Sequence, residues 1–451
     1  MSVWLGSDAE RRSFDFFLAR ASQRFGEFFN APFWSREVLQ AAISFPSIRH
    51  LVVALGAAYE QFESKETRRL TEGDHNNDNM RFALQQCNTS IRHITNLSES
   101  SRQSLETMCC ILTASILFGI FASLQGHFGQ AIEHVRSGMR VLKNLDSLPS
   151  STPSTFPVPV ARLRSLLTNL YGQARTIIND EAKTKWDGQD PLVSKIEPVA
   201  FFLNLDDAQT YVQALYMNTL AFFQSREFHP PVTQEEMDAV NARREQLCSA
   251  LRSSCEALAV LEARDATSSD DKPVTILHLY HTVLSMRLGI SAFGEEKREA
   301  LFDEAEHYLM QMLAYCRQIL RDDGSPETRA RPVYSSGLGV VMPLHTIAAR
   351  CRNPAVRKEA LDLLLRVDRR EWIWDSTLTR RIVSTTIEFE QRATLLEGDL
   401  AALQIRENVP DDSRIREVKL RFQGERSASL EFITVAQWKN KQSGYQRFIQ
   451  W

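Results

Sequence analysis

Thr107–Leu124, TMCCILTASILFGIFASL, is a run of 18 residues without a charged side chain, and the fold turns on whether it crosses a membrane or fills a core. Its length is the lower edge for a spanning helix, at about 1.5 Å per residue across about 30 Å of hydrocarbon. The run contains two threonines and two serines, and no Lys or Arg cluster flanks it, whereas spanning helices are usually framed by such clusters and by interfacial aromatics. It passes into Gln125-Gly126-His127-Phe128-Gly129-Gln130 and then into Ala131, Val135, Met139 and Leu142, whose spacing of three and four marks an amphipathic helix. A helix apolar on all sides, joined by a short turn to a one-sided helix, suits the centre of a large helical domain. A buried core helix is expected.

The same periodicity spreads outward. Phe14, Phe17, Leu18, Ala21 and Phe25 make one face of residues 8–29, and Pro46 can open a helix carrying Ile48, Leu51, Val52, Leu55 and Tyr59. Asn204 stands before Asp206 and Asp207 as a cap with first-turn carboxylates. Thr233-x-x-Glu236 reads as a capping box opening a helix through about Glu262, and Asn353-Pro354 starts a helix over Ala355–Val367. Only the end alternates with period two: Val418, Leu420 and Phe422 interleave with Lys419 and Arg421, and Leu430–Thr434 follows a short polar turn, which predicts a hairpin. Residues 63–79, 265–273 and 322–332 are polar loops, and residues 146–159 hold four prolines among serines and threonines. Leu117–Leu142 is similar to a tetratricopeptide helix pair, but no second copy follows at the repeat offset of about 34 residues. The expected fold is all-α: a large irregular array of packed helical hairpins with a small C-terminal β-hairpin. It divides into an N-terminal helical part (1–145), a Pro/Ser/Thr-rich linker or loop (146–160), a C-terminal helical part (161–400) and a tail with the hairpin (401–451).

Composition bounds function. A 451-residue chain with 43% hydrophobic residues can bury a large core, and a net charge of −3 carries no basic excess of the kind nucleic-acid binders show. Arg11-Arg12, Arg68-Arg69, Arg243-Arg244, Arg369-Arg370 and Arg380-Arg381 are isolated pairs, read as solvated helix faces. The seven scattered cysteines read as free buried thiols of a reducing compartment. The first residues have neither a basic stretch nor an apolar one, so no secretory signal is expected and the chain reads as intracellular.

Chemical motifs are sparse. There is no Cys-x-x-Cys, and the Cys248-x6-Cys255 pair lacks the further ligands that zinc requires. His278 and His281 sit three apart on a helix, and Glu304-x-x-His307 is half of a di-iron motif whose only other copy, Glu72 to His75, lies in a polar stretch. Gly337-x-Gly339 precedes a helix without the strand that a dinucleotide-binding loop needs. Phe201, Phe202, Tyr211, Tyr216, Phe222 and Phe223 can line a pocket for an apolar metabolite, although two helix faces are involved and core packing accounts for them as well. No catalytic residue and no metal ligand is assigned, no cofactor is expected, and cofactor-binding residues remain unknown. The chain does not read as an enzyme.

A set of ordered blocks carries a resemblance. Phe33-Trp34-Ser35-Arg36-Glu37-Val38-Leu39-Gln40, then Pro46-Ser47-Ile48-Arg49-His50 and Ala54-Leu55-Gly56-Ala57, look like the opening of the fungal-specific transcription factor domain, the regulatory body of zinc binuclear cluster factors. Met80–Ile91 stands in the place of a further helix of that family, in degenerate form. Gly126, Ala131, His134, Gly138 and Leu142 resemble its central hairpin, and Phe202–Ala208 a later helix start. Met342-Pro343-Leu344, Ala349–Pro354, Arg357–Ala360, Leu363-Leu364, Arg370-Glu371 and Trp374-Asp375 resemble the closing block. Within it, Arg352, Arg357 and Glu371 are expected to form a polar network at a helix junction. The blocks follow one another across about residues 14–435. None of the family's six cluster cysteines has a counterpart.

The resemblance implies a transcription regulator, within a secondary-metabolism setting, located in the nucleus or alternatively in the cytoplasm. It implies a homodimer or a heterodimer with an intact zinc-cluster factor, and a small hydrophobic effector. Direct DNA contact by this chain alone and contact with a membrane are not expected. Two other readings stay open: a helical small-molecule-binding protein or enzyme of a biosynthetic pathway, and a scaffold that heterodimerises with an intact family member.

Overall fold

The computed structural model describes residues 6–29, 31–64, 78–96, 104–146, 155–177, 195–228, 232–265, 271–290, 299–321, 331–396 and 409–451. Most of the expected loop residues, and Arg68-Arg69, Glu72 and His75, lie outside them. The chain is mostly α. Helix α1 (Asp8–Phe16) continues through a π-turn and a further α-turn to Phe25 and packs on α2 (Pro46–Glu63). Next come α3 (Asp78–Thr95), α4 (Leu105–Leu124), α5 (Phe128–Asp146) and α6 (Val160–Ile177). The second half of the array is α7 (Leu205–Phe228), α8 (Gln234–Asp265), α9 (Lys272–Gly289), α10 (Glu306–Ile319), α11 (Val341–Arg350), α12 (Pro354–Arg366) and α13 (Ser376–Leu396). Sequential neighbours pack as hairpins (α2 on α3, α4 on α5, α11 on α12), and α4 also packs on α2 and α6.

Local chemistry sets these boundaries. Pro46 occupies the first turn of α2, where a missing N–H costs nothing. Asn204 accepts from Asp207 N at 2.9 Å, Thr233 and Glu236 cap each other, and Asn353 Oδ1 accepts from Ala355 N and Val356 N. The Thr107–Leu124 run is the body of α4, which is long and apolar enough to span a bilayer, yet 78% of that window is buried inside the fold. It ends in a Schellman turn: Gly126 takes φ +82°, Gly126 N donates to Ser123 O and His127 N to Ala122 O.

Among the described residues there are two small sheets. The expected hairpin is β4 (Ile415–Gly424) paired antiparallel with β5 (Ser427–Thr434), and a strand absent from the sequence reading, β6 (Tyr445–Gln450), adds to β5. The other sheet was not anticipated: β1 (Val333–Ser335) lies parallel to β2 (Arg369–Glu371), and β2 turns back into β3 (Trp374–Asp375). All three charged residues of β2 are buried, so the Arg369-Arg370 pair is not a solvated face. Partners held at fixed positions account for the burial. Arg369 donates to Glu27 Oε1 at 2.9 Å and to Glu371. Arg370 donates to Asp375 at 3.0 Å and to the last α4 carbonyls, Ser123 O and Leu124 O, at 2.9 and 3.0 Å. Glu371 accepts from Val340 N at 2.9 Å and Val341 N at 2.8 Å, placing its charge at the start of α11.

The Glu371 carboxylate fills the place an anionic ligand would take at a helix N-terminus, so Gly337-x-Gly339 has no phosphate-binding role. It also accounts for Gly339, where a Cβ would stand 2.1 Å from Glu371 Oε1. Glu371→Ala is expected to destabilise by about 3 kcal/mol or more, because the Val340 and Val341 N–H groups and part of Arg369's demand are left unmet. Gly339→Ala is expected to act by displacing the same carboxylate. Urea unfolding of the two single variants and the double variant tests this: the double should cost clearly less than the sum, and additive losses would show that the two residues act independently.

Candidate ligand-binding cavity

A cavity of about 280 Å³ opens where α6, α7, α9, α11 and α13 meet β4, close to the lower end of the range of about 300–1,000 Å³ typical of small-molecule sites. Each wall follows from helical or strand spacing. From α11, Met342, His345, Thr346 and Ala349 point inward, and from α13 come Leu378, Ile382 and Thr386, positions three, four or eight apart that share a helix face. Helix α7 supplies Leu220, Phe223 and Gln224, and α9 supplies Met286 and Arg287. Strand β4 closes the space with Ile415, Val418 and Leu420. A bulge between Ile415 and Glu417 takes Arg416 out of the ladder, and its guanidinium lies 3.3 Å from the Trp438 ring centroid.

Strand β4 is fastened to the helices by charge-assisted bonds. Arg350 pairs with Glu299 and donates to Ile415 O at 2.8 Å and Arg416 O at 3.0 Å. Glu390 accepts from Ile415 N at 2.9 Å, from Arg352 at 2.6 Å and from Arg357 at 3.1 Å. Burial alone would raise the Glu390 pKa, but the two guanidinium groups and these bonds hold it below its ordinary value. The network expected for Arg352, Arg357 and Glu371 is therefore two networks: both arginines serve Glu390, and Glu371 serves Arg369 and α11.

Within the cavity most polar groups are satisfied by their own helices. Thr346 bonds Met342 O, Thr386 bonds Ile382 O, and Thr176 accepts from Trp374 Nε1 at 3.2 Å. Four described lining residues carry a buried polar atom with no hydrogen-bond partner: Gln224 Oε1, Thr379 Oγ1, Arg287 Nε and Arg416 Nε. His345 lies against Trp374, at a centroid distance of 5.3 Å. Its pKa is lowered to about 4, first by burial and then by the charges of Arg350 and Arg287, and the surface it retains belongs to the cavity wall. It is neutral at pH 7.

The residues singled out in the sequence are only partly drawn here. Of the aromatic set, Phe223 lines the cavity, Phe202, Tyr216 and Phe222 are core, Tyr211 is half-buried, and Phe201 is exposed. His281 bonds Ser254 at 2.9 Å inside the core, whereas His278 pairs with Glu262 at 2.6 Å nearer the surface. Glu304 and His307 fall on either side of a break, the first ending a short turn (Leu301–Glu304) and the second on α10. Among the described residues no group of three His, Cys, Asp or Glu side chains has metal-holding geometry. Five cysteines are buried, but Cys248 is half-buried and Cys255 exposed. The buried stripe of α8 runs through Leu247, Leu251, Ser254 and Leu258, which turns Cys255 away from the core. The cavity has no signature in the sequence. Its walls come from positions about 240 residues apart, and no local pattern connects them.

His345 makes a pH-dependence calculable. With a folded-state pKa near 4 against an ordinary 6.5, the unfolded chain takes up a proton first as pH falls. Stability is full above 6.5 and is lost as pH drops toward 4, at about 1.4 kcal/mol per unit. Chemical unfolding at pH 7 and pH 5 should show His345→Phe losing about 1–2 kcal/mol less than the native chain between the two conditions. Equal losses would mean that His345 is protonated in the fold.

No family model matches the chain, and no solved structure matches it. The chain is 26% identical, over an alignment of 513 residues, to the aspercryptin biosynthesis cluster-specific transcription regulator atnN of Emericella nidulans. The alignment spans 95% of this chain and 80% of that protein. Over nearly its whole length, then, the chain is similar to a pathway-specific transcription regulator.

Proposed function

We propose that this chain is the regulatory body of a transcription regulator that controls a biosynthetic gene set, and that the cavity between the helices and β4 receives its small-molecule effector. The observation that carries the reading is the similarity to a cluster-specific regulator across 95% of the chain. The ordered blocks that resemble the fungal-specific transcription factor domain support it. On this reading the protein works in the nucleus, and contact with promoter DNA is made by a dimer partner or by another segment of the protein, because none of its cysteines has zinc-cluster spacing.

Deletion of the gene tests the proposal through transcript profiling and a fluorescent fusion. The expected result is a coordinated change in a co-localised set of biosynthetic transcripts together with nuclear fluorescence. An unaltered transcript profile, or turnover of a pathway intermediate by the purified chain, would overturn it. In mobility-shift assays the isolated chain should leave promoter DNA unshifted and should supershift a complex formed by an intact zinc-cluster partner.

A further inference from the structure

We propose that the cavity selects an acidic ligand: a small, mostly apolar molecule bearing one anionic group, a carboxylate or its equivalent, that docks on Arg287. This deepens the effector reading above and rests on it. The apolar part of the ligand is set by Leu220, Phe223, Met286, Met342, Ile382 and Leu420, which leave little for a polar molecule to bond. The sign of the charge is set by the arginines.

Among the described lining residues are three arginines, Arg287, Arg350 and Arg416, against one carboxylate, Glu417. Arg350 is already paired with Glu299 and donates to two β4 carbonyls. Arg416 is stacked on Trp438. Arg287 differs from both in its partners: it is half-buried on α9, makes no ion pair or hydrogen bond with a described residue, and its Nε, like that of Arg416, is buried without an acceptor. Its charge is felt by the neighbouring groups, since it helps to depress the His345 pKa and works against the burial that raises that of Tyr216. A guanidinium held beside an apolar chamber is poorly solvated, and a planar anion meets its forked donors with two parallel bonds. A cationic ligand would meet the same charge as repulsion. A neutral apolar ligand would strip water from Arg287 and return nothing. Gln224 Oε1 and Thr379 Oγ1, also unpartnered in the lining, add an acceptor and a hydroxyl that suit a ligand with a further hydroxyl group.

A matched pair of fluorescent probes tests the inference on the purified full chain. 1-Anilinonaphthalene-8-sulfonate and N-phenyl-1-naphthylamine share one apolar skeleton and differ in a single anionic group. The sulfonate is expected to bind roughly tenfold or more tightly than the neutral probe, the size of a charge-assisted bond. Arg287→Met should abolish that preference by weakening the sulfonate while the neutral probe binds no less tightly than before, and Arg287→Lys, which keeps the charge and loses the fork, should keep part of it. Ile382→Trp, which fills the chamber, should weaken both probes. Equal affinities of the native chain for the two probes would overturn the acidic-ligand inference and leave the cavity reading intact. This comparison needs no variant and stands even if Arg287→Met fails to fold. Sulfonate preference that survives Arg287→Met would also overturn it. Binding of neither probe, or binding indifferent to Ile382→Trp, would overturn the effector cavity and this inference together.

Discussion

Three consecutive charged residues, Arg369, Arg370 and Glu371, lie on a buried strand, and much of the architecture is arranged to satisfy them. Taking an ion out of water costs several kcal/mol, so such a strand persists only where partners are already in place. Glu27 comes from the N-terminal helical segment, the Ser123 and Leu124 carbonyls from the end of α4, and the Val340 and Val341 N–H groups from the start of α11. Each contact joins a chain end or helix terminus far away in sequence. The strand therefore sets the relative positions of the first helices, the apolar central helix and the helix that floors the cavity. Trp372, which follows it, takes φ +56° and is fully buried. That left-handed backbone costs about 1–2 kcal/mol in a non-glycine residue. Burial of the indole outweighs it, with bonds from Trp372 N to Ser335 O and from Trp372 Nε1 to Leu170 O.

The cavity depends on this frame. Met342 and Trp374 line it and also touch a small void beside Glu371. Side chains that would contact a ligand are thus one layer removed from the charges that orient α11. A second set of charges, Glu390 with Arg352 and Arg357 and Arg350 with Glu299, holds β4 against the helices. A ligand-sized space survives among densely packed side chains because its walls are anchored from outside by ion pairs rather than by filling its interior.

Helix starts were legible in the sequence because capping is local chemistry: Asn204, Thr233 and Asn353 each bond a backbone group within three residues. The central run was legible because an uncharged stretch without flanking basic clusters, joined to a one-sided helix, has only a protein core in which to bury its whole circumference. Strand β2 was not, since Arg-Arg-Glu is the composition of a solvated surface and its partners lie up to 342 residues away. Strand β6 escaped because most of its side chains are exposed and it is a sheet-edge strand with no alternating pattern. Cys255 was misplaced because a long helix has an outer face as well as an inner one.

Strand β4 carries a consequence that concerns time rather than space. It begins at Ile415, so the ribosome makes it after every helix that borders the cavity. Until Ile415 offers its N–H to Glu390 and its carbonyl to Arg350, the chamber is an open trough with one wall missing. A nascent or prematurely terminated chain has the floor of the site and not its lid. A chain that stops short of Ile415 therefore lacks this wall of the chamber, whatever helices it has already formed.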